Sequence, residues 1–202
     1  MDKTAYIAGL VASDGHLRKD DRNKEIEIAT SNREFSEMIK NILSKVSKNK
    51  VYSRKNKTAY VVCVADKNLH QLLNEKFRIP VGKKSDILVP PEISEREEIK
   101  FFLRGFFDGD STIHTRKMRN KKVPRIRVMS TSSEILIWIK EQLENFGINS
   151  GSLFEDKPHG FGKKICYRLE IYGSAVKKFY ENINYFHPEK SKKIKKLIFL
   201  LE

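Results

Sequence analysis

The sequence predicts an α+β fold of two similar lobes related by a pseudo-twofold axis, each ordered αββαββα around one four-stranded antiparallel sheet. Three observations predict it. The same order of helical and strand-like runs occurs twice along the 202 residues. Residues at two helix ends correspond at a constant spacing. Small-residue stripes on those helices offer a way to pack the lobes against each other.

In the first lobe, residues 1–79, Ala5–Ser13 reads as a helix of apolar and small residues ending at Asp14-Gly15. Strands are expected at His16–Lys19 and Glu25–Thr30, on either side of the charged loop from Asp20 to Lys24. Phe35, Met38, Ile39, Ile42, Leu43 and Val46 then recur at three- and four-residue steps, the apolar face of a helix. Strands near Lys50–Arg54 and Thr58–Ala65 follow around a turn at Lys55–Lys57, and a short helix near Leu69–Lys76 closes the unit. Residues 80–94, with Pro80, Pro90 and Pro91, read as a linker.

The second lobe, residues 95–202, repeats this order. A helix over Glu98–Gly109 ends at Asp110-Ser111, and strands near Thr112–Thr115 and Val123–Ser130 flank the basic segment Arg116–Lys122, expected as a loop. Ile135, Leu136, Ile139, Leu143 and Phe146 mark the next apolar helix face, with Gly147 as its C-cap. Strands near Ser152–Glu155 and Ile165–Tyr172 precede a last helix around Ala175–Ile183. Gly9 and Asp14 lie 96 residues before Gly105 and Asp110; Thr30-Ser31 and Thr131-Ser132 are 101 apart, and Tyr60 and Tyr167 are 107 apart. Added length therefore falls in the hairpins, where a duplicated fold tolerates it.

Forty Lys and Arg against 26 Asp and Glu give a net charge of +14, which favours polyanionic partners. Charge is interleaved with aromatic and β-branched residues, as in a folded chain with a charged surface. Cys63 and Cys166 have no Cys-x-x-Cys spacing, which argues against structural zinc and for free thiols in a reducing compartment. No apolar stretch approaches the roughly 20 residues needed to cross a bilayer, and the N-terminus lacks a signal pattern. A soluble protein of the cytoplasm with access to the nucleoid, or of an organelle interior, is expected, with no membrane partner.

The two repeated helices carry the chemistry. Ala8, Gly9, Ala12 and Ser13 form a stripe of little side-chain bulk, matched by Gly105 and Gly109. Glycine inside a helix costs up to about 1 kcal/mol relative to alanine, and close helix approach offsets it. Ala8, Gly9, Ala12 and Gly105 are therefore the expected lobe interface. Packing through these stripes brings Asp14 and Asp110 together at the helix ends, where two carboxylates repel unless a cation intervenes. Oxygen ligands suit Mg²⁺, with Mn²⁺ as a substitute and Ca²⁺ expected to bind without supporting cleavage. Carboxylates holding divalent ions are the arrangement of metal-assisted phosphodiester cleavage.

Ile7-Ala8-Gly9-Leu10-Val11-Ala12-Ser13-Asp14-Gly15 and Leu103-Arg104-Gly105-Phe106-Phe107-Asp108-Gly109-Asp110-Ser111 resemble the two motifs of monomeric LAGLIDADG homing endonucleases. The resemblance extends over nearly the whole chain. It departs at Ala12, Arg104 and Ser111, and retains both terminal acids. It implies a site-specific double-strand DNA endonuclease acting as a monomer and leaving 3′ overhangs. It implies Asp14 and Asp110 as catalytic, metal-binding acids, with the backbone carbonyls of Ser13 and Gly109 as further ligands. Gly82-Lys83-Lys84-Ser85 and Glu189-Lys190-Ser191-Lys192 resemble the lysine–serine segments after each lobe's last helix, which makes Lys84 and Lys190 candidates for stabilising phosphate charge. Asp108 is left outside the site.

Double-stranded DNA is the expected partner, read by the polar faces of the two sheets. Arg125 and Arg127 alternate with apolar residues, as do Glu25 and Glu27, the row Lys50, Tyr52, Arg54 and the row Arg168, Glu170, Tyr172. Arg18 and Lys24 border the first hairpin loop, and Arg116 and Lys122 border the second. A β-ribbon fits the major groove, where Arg pairs with guanine and Glu accepts from cytosine. Unlike residues in the two lobes predict a long, asymmetric target. The alternatives are an intron RNA maturase, a non-cleaving DNA-binding regulator on the same scaffold, and a basic ribosome-associated module.

Overall fold

The computed structural model describes residues 1–19, 24–82, 88–118, 121–157 and 164–199. Contacts divide the chain into two compact units, Met1–Gly109 and Asp110–Glu202. In the first, helix α1 (Lys3–Asp14) opens where the Asp2 side chain accepts the Ala5 N–H at 2.9 Å, satisfying one donor left over at the helix start. Strands β1 (Gly15–Leu17) and β2 (Glu25–Thr30) follow, then helix α2 (Arg33–Leu43), capped by Asn32 on the Phe35 N–H. Strands β3 (Tyr52–Asn56) and β4 (Ala59–Ala65) lead to helix α3 (Lys67–Glu75), capped by Asp66. The sheet is antiparallel throughout, in the order β1-β2-β4-β3. Ile26, Ile28, Val62 and Val64 point from it into a core shared with Phe35, Ile39 and Leu43 of α2 and with α1, which is buried from Ala5 to Ser13.

Helix α4 (Arg96–Asp110) lies in the first unit for all but its last residue. The sequence repeat groups it with the second lobe, whereas its contacts group it with α1. The second unit repeats the plan with β5 (Ser111–Met118), β6 (Lys121–Ser130), α5 (Ser133–Asn145), β7 (Phe154–Asp156), β8 (Cys166–Tyr172) and α6 (Ser174–Asn182). Its sheet order, β5-β6-β8-β7, is that of the first, again antiparallel. Gly147 takes the left-handed conformation, φ 70°, that ends α5. The α+β class and the pair of four-stranded sheets agree with the sequence reading.

The structure departs from that reading in three places. The segment Arg116–Lys122, expected as a loop, is strand through Met118 and again from Lys121, because the β5–β6 ladder continues past the core to the Met118–Lys121 pair. Its charged residues hid the strand, yet a two-stranded ladder keeps its backbone bonds whatever its side chains. Helix α7 (Pro188–Ile198) was not anticipated. The described part of the linker is docked on the first unit: the Gly82 N–H donates to the Leu17 carbonyl at 2.7 Å, the Glu92 N–H to that of Lys76 at 2.9 Å, and Leu88 is buried. No helix of the described residues is long and apolar enough to cross a membrane.

Candidate active site and nucleic-acid interface

The first unit brings α1 and α4 together backbone to backbone. A Cβ on Gly9 would lie 2.1 Å from the Phe102 carbonyl oxygen and 2.7 Å from the Phe106 nitrogen; one on Gly105 would lie 2.1 Å from the Tyr6 carbonyl oxygen and 2.9 Å from the Leu10 nitrogen. No residue but glycine fits at either position. Ala8 and Ala12, on the same helix as Gly9, are buried.

Both helices end at their acids. Asp14 is the exposed last residue of α1, and the half-buried Asp110 is the last of α4. The two helix ends crowd each other at Gly109, where a Cβ would lie 2.0 Å from Ser13 Oγ and 3.2 Å from Asp14 Oδ2. The Ser13 hydroxyl turns back onto its own helix, donating to the carbonyls of Gly9 and Leu10 at 3.1 Å each.

Between the helices, the Tyr6 hydroxyl donates to Asp108 Oδ2 at 2.7 Å, with both residues buried. Burial, then the Asp108 charge, holds the Tyr6 phenol well above its usual range. Arg104, one turn before Asp108, adds a compensating charge while resting on the Phe101 ring 4.9 Å away.

In the second unit, Lys190 on α7 sits with its Nζ 6.0 Å from the Tyr185 ring centroid. The Tyr185 hydroxyl shares a 3.0 Å hydrogen bond with Ser111 Oγ, next in the chain to Asp110. The sequence marks Ser111 only as a departure from the motif and gives no sign of Tyr185 as its partner. Lys84, with Lys83 and Ser85, lies outside the described residues.

The polar faces of the sheets are not free rows of side chains. In the first unit Glu25 is 7% exposed. It accepts from Arg18 at 3.0 Å and from the Tyr52 hydroxyl, which it pushes up to about 12. Glu27 meets Arg54 at 2.6 Å and Arg18 at 3.5 Å. Lys50 is exposed just before β3, and Lys24, half-buried, lends its carbonyl to the Asp66 N–H. Among the described residues, Glu25, Glu27 and Cys63 bring three potential ligand atoms within 4.8 Å of one another. Arg18 and Arg54 already neutralise those carboxylates, and burial followed by the Glu27 charge pushes the Cys63 thiol up to about 11. That group is an ion-pair cluster with a protonated thiol. Both cysteines are free.

In the second unit one carboxylate, Glu170 at 5% exposure, gathers three guanidiniums: Arg125 at 2.6 Å, Arg127 at 2.8 Å and Arg168 at 3.4 Å. Arg168 also meets Asp156 at 3.1 Å. Burial alone would raise the Glu170 carboxyl, but hydrogen bonds and charge from Arg127 and Arg125 hold it below the usual range. Tyr172 and Phe154 flank the cluster, under Arg125 and Arg168 respectively. Arg116 and Lys122 lie along the extended β5–β6 ribbon, both exposed.

The sequence profile of the LAGLIDADG-like domain matches residues 2–76 and 97–184. The chain is 27% identical over 196 residues to the probable translation initiation factor IF-2 of Methanocaldococcus jannaschii, covering 96% of this chain but only 16% of that factor's length. It is 24% identical over 205 residues to the homing endonuclease I-ApeI of Aeropyrum pernix, covering 96% of this chain and 86% of that protein. Among solved structures, I-DmoI in complex with DNA and Ca shares the fold with a TM-score of 0.67 at 17% identity, over 96% of this chain and 97% of that one. The same endonuclease is also solved with DNA and Mn, and a variant of it with its target DNA in the presence of Mg.

Proposed function

This chain belongs to the LAGLIDADG-like domain family, and from that premise we propose that it is a site-specific double-strand DNA endonuclease using divalent metal ions. The observation that carries the reading is the glycine seam of α1 and α4, which ends with Asp14 against Gly109 and continues by one residue to Asp110. Small residues let the two main chains touch, and each of the two helices ends at an acid.

Asp14 and Asp110 are the proposed metal-binding acids, with the main-chain carbonyls of Ser13 and Gly109 beside them. An all-oxygen donor set fits Mg²⁺, with Mn²⁺ as a substitute and Ca²⁺ as a binding-only ion. A side chain at Gly109 would crowd Ser13 and the Asp14 carboxylate, so glycine there leaves that end of the seam without one. Held by those oxygens, a divalent ion would supply Lewis acidity toward a water and toward the leaving oxygen. The remaining work falls to the chain itself. Lys190, held over Tyr185, is proposed to offset charge on the scissile phosphate, and Lys84 is proposed for the same task from its motif position. A single chain carrying both acids is proposed to act as a monomer in a reducing, DNA-bearing compartment.

Duplex DNA is proposed to lie along the two polar faces. Arg125, Arg127, Arg168, Arg18 and Arg54 are the proposed base readers, aided by Tyr52 and Tyr172, with Lys24, Lys50, Arg116 and Lys122 on phosphates. Glu25, Glu27 and Glu170, engaged by arginines, are better suited to aiming those arginines than to meeting cytosine. The similarity to IF-2 is confined to 16% of that factor, so it lends no support to a role in translation.

The test is cleavage of a randomised duplex library with Mg²⁺ or chelator. Wild type is expected to cut both strands, leaving 3′ overhangs, only with the metal, while Asp14→Asn and Asp110→Asn each bind DNA and lose cleavage by about 2.7–4 kcal/mol or more, as when one electrostatic stabiliser is removed. Binding of duplex without cleavage by wild type would point to the regulator, and preference for intron RNA to the maturase.

A further inference from the structure

The two motif helices match residue for residue at a spacing of 96, and their contacts are reciprocal: Gly9 sits on Phe102 and Phe106, and Gly105 on Tyr6 and Leu10. The symmetry breaks at one pair. Tyr6 on α1 donates to Asp108 on α4, whereas their counterparts across the seam are Phe102 on α4 and Ala12 on α1. All four are buried. One side has both the donor and the acceptor; the other has neither.

We infer that Tyr6 and Asp108 form a one-sided latch on the seam, and that Asp108 is a positioning residue which fixes the register of α1 against α4 and so the place of Asp14 beside Gly109. The inference rests on reading Asp14 and Asp110 as the metal-binding acids. The glycine contacts themselves are main chain on main chain and nearly alike in both directions, so they fix the distance between the helices better than their offset. A slip of one residue moves a helix end by about 1.5 Å, and a misplacement of about 1 Å at a reacting centre can cost on the order of 10²-fold in rate. A directed hydrogen bond to a buried carboxylate resists that slip, because sliding would strand both partners without solvent. The latch also gives the pairing a polarity. Two α4 helices set together, as in a swapped assembly of two chains, would each turn Asp108 toward a phenylalanine, while α1 on α4 satisfies it.

The test uses the full chain with Asp108→Leu, Asp108→Asn and Tyr6→Phe, and three measurements. DNA affinity in Ca²⁺ is expected to stay within about threefold of wild type in all three, since the sheet faces are untouched. Single-turnover cleavage in Mg²⁺ is expected to fall roughly 10- to 100-fold in Asp108→Leu, and to return to within about fivefold of wild type in Asp108→Asn, whose amide oxygen still accepts from Tyr6. Amide hydrogen exchange over residues 3–14 and 96–109 reads the seam without reference to activity, and is expected to quicken about tenfold in Asp108→Leu and Tyr6→Phe. Wild-type exchange in both of those variants would overturn the latch, as would an Asp108→Asn enzyme as slow as Asp108→Leu. Should Asp14→Asn cut like wild type, the metal-site reading fails, while the exchange experiment still decides whether the latch exists.

Discussion

The two sheets share strand order and direction, yet their polar faces are wired differently. On the first, Glu25 and Glu27 stand side by side on β2 and meet Arg18 and Arg54, so charges balance. On the second, Glu170 gathers Arg125 and Arg127 and shares Arg168 with Asp156, three guanidiniums to two carboxylates before the exposed Arg116 and Lys122 of the ribbon are added. Duplication preserved the scaffold and let the face diverge. The paired charges of the first face are suited to discrimination, with Lys24 and Lys50 beside them for phosphate. The unbalanced face, with its longer hairpin, is suited to capture.

The sharpest way to break this comparison is to remove the hub. Glu170→Gln leaves three guanidiniums short of a counter-charge, and is expected to destabilise the second unit by about 3 kcal/mol, the low end for a broken buried pair because Arg127 and Arg168 keep some solvent. Urea unfolding measures it, and a loss no greater than that of Glu27→Gln on the first face would show that the two networks are equivalent. Arg125→Ala is expected to cost about 1–3 kcal/mol at particular base pairs. Arg116→Ala with Lys122→Ala is instead expected to weaken all sequences evenly, and to lower the salt slope of binding by about 1 for each phosphate no longer engaged. Binding profiles across single-base target variants separate the two. The smallest effect is with pH. The folded-state pKa of Glu170 is depressed, so its contribution is present above the ordinary carboxylate range and lost as pH falls through the depressed value. Tyr52 is raised to about 12, so its contribution is complete below about 10 and lost as pH climbs through 12. Acid is thus expected to loosen the second face and strong alkali the first; chemical-shift titrations of the two sheets distinguish them.

Much of the fold was legible because burial imposes a period. Phe35, Ile39 and Leu43 on α2, and Ile126 and Val128 on β6, advertise their elements through spacing alone. Helix α7 did not, since only Ile194 and Ile198 of its residues are buried amid lysines, too sparse a pattern to show. The β5–β6 ribbon hid for a different reason: strand pairing there proceeds through a run of basic residues with no apolar alternation to announce it. Alternation placed Arg125, Arg127 and Glu170 on one side of a sheet. It could not reveal that Glu170 sinks to 5% exposure among arginines from two strands, because that depends on register between strands far apart in the chain. The Lys190–Tyr185–Ser111 connection is likewise a property of packing, invisible to spacing.

The glycine seam has a consequence for how such a chain can change over time. Where one helix touches the other's carbonyl and amide groups, the gap between the axes is set by main chain, so it does not depend on the side chains borne by the two sheets. Two halves can grow unlike in sequence, as their sheets have, while the spacing between the paired helices is inherited intact. By the same logic, grafting a foreign half onto this one asks little of the donor beyond a glycine at the crossing and, on one side only, a partner for the tyrosine or the aspartate.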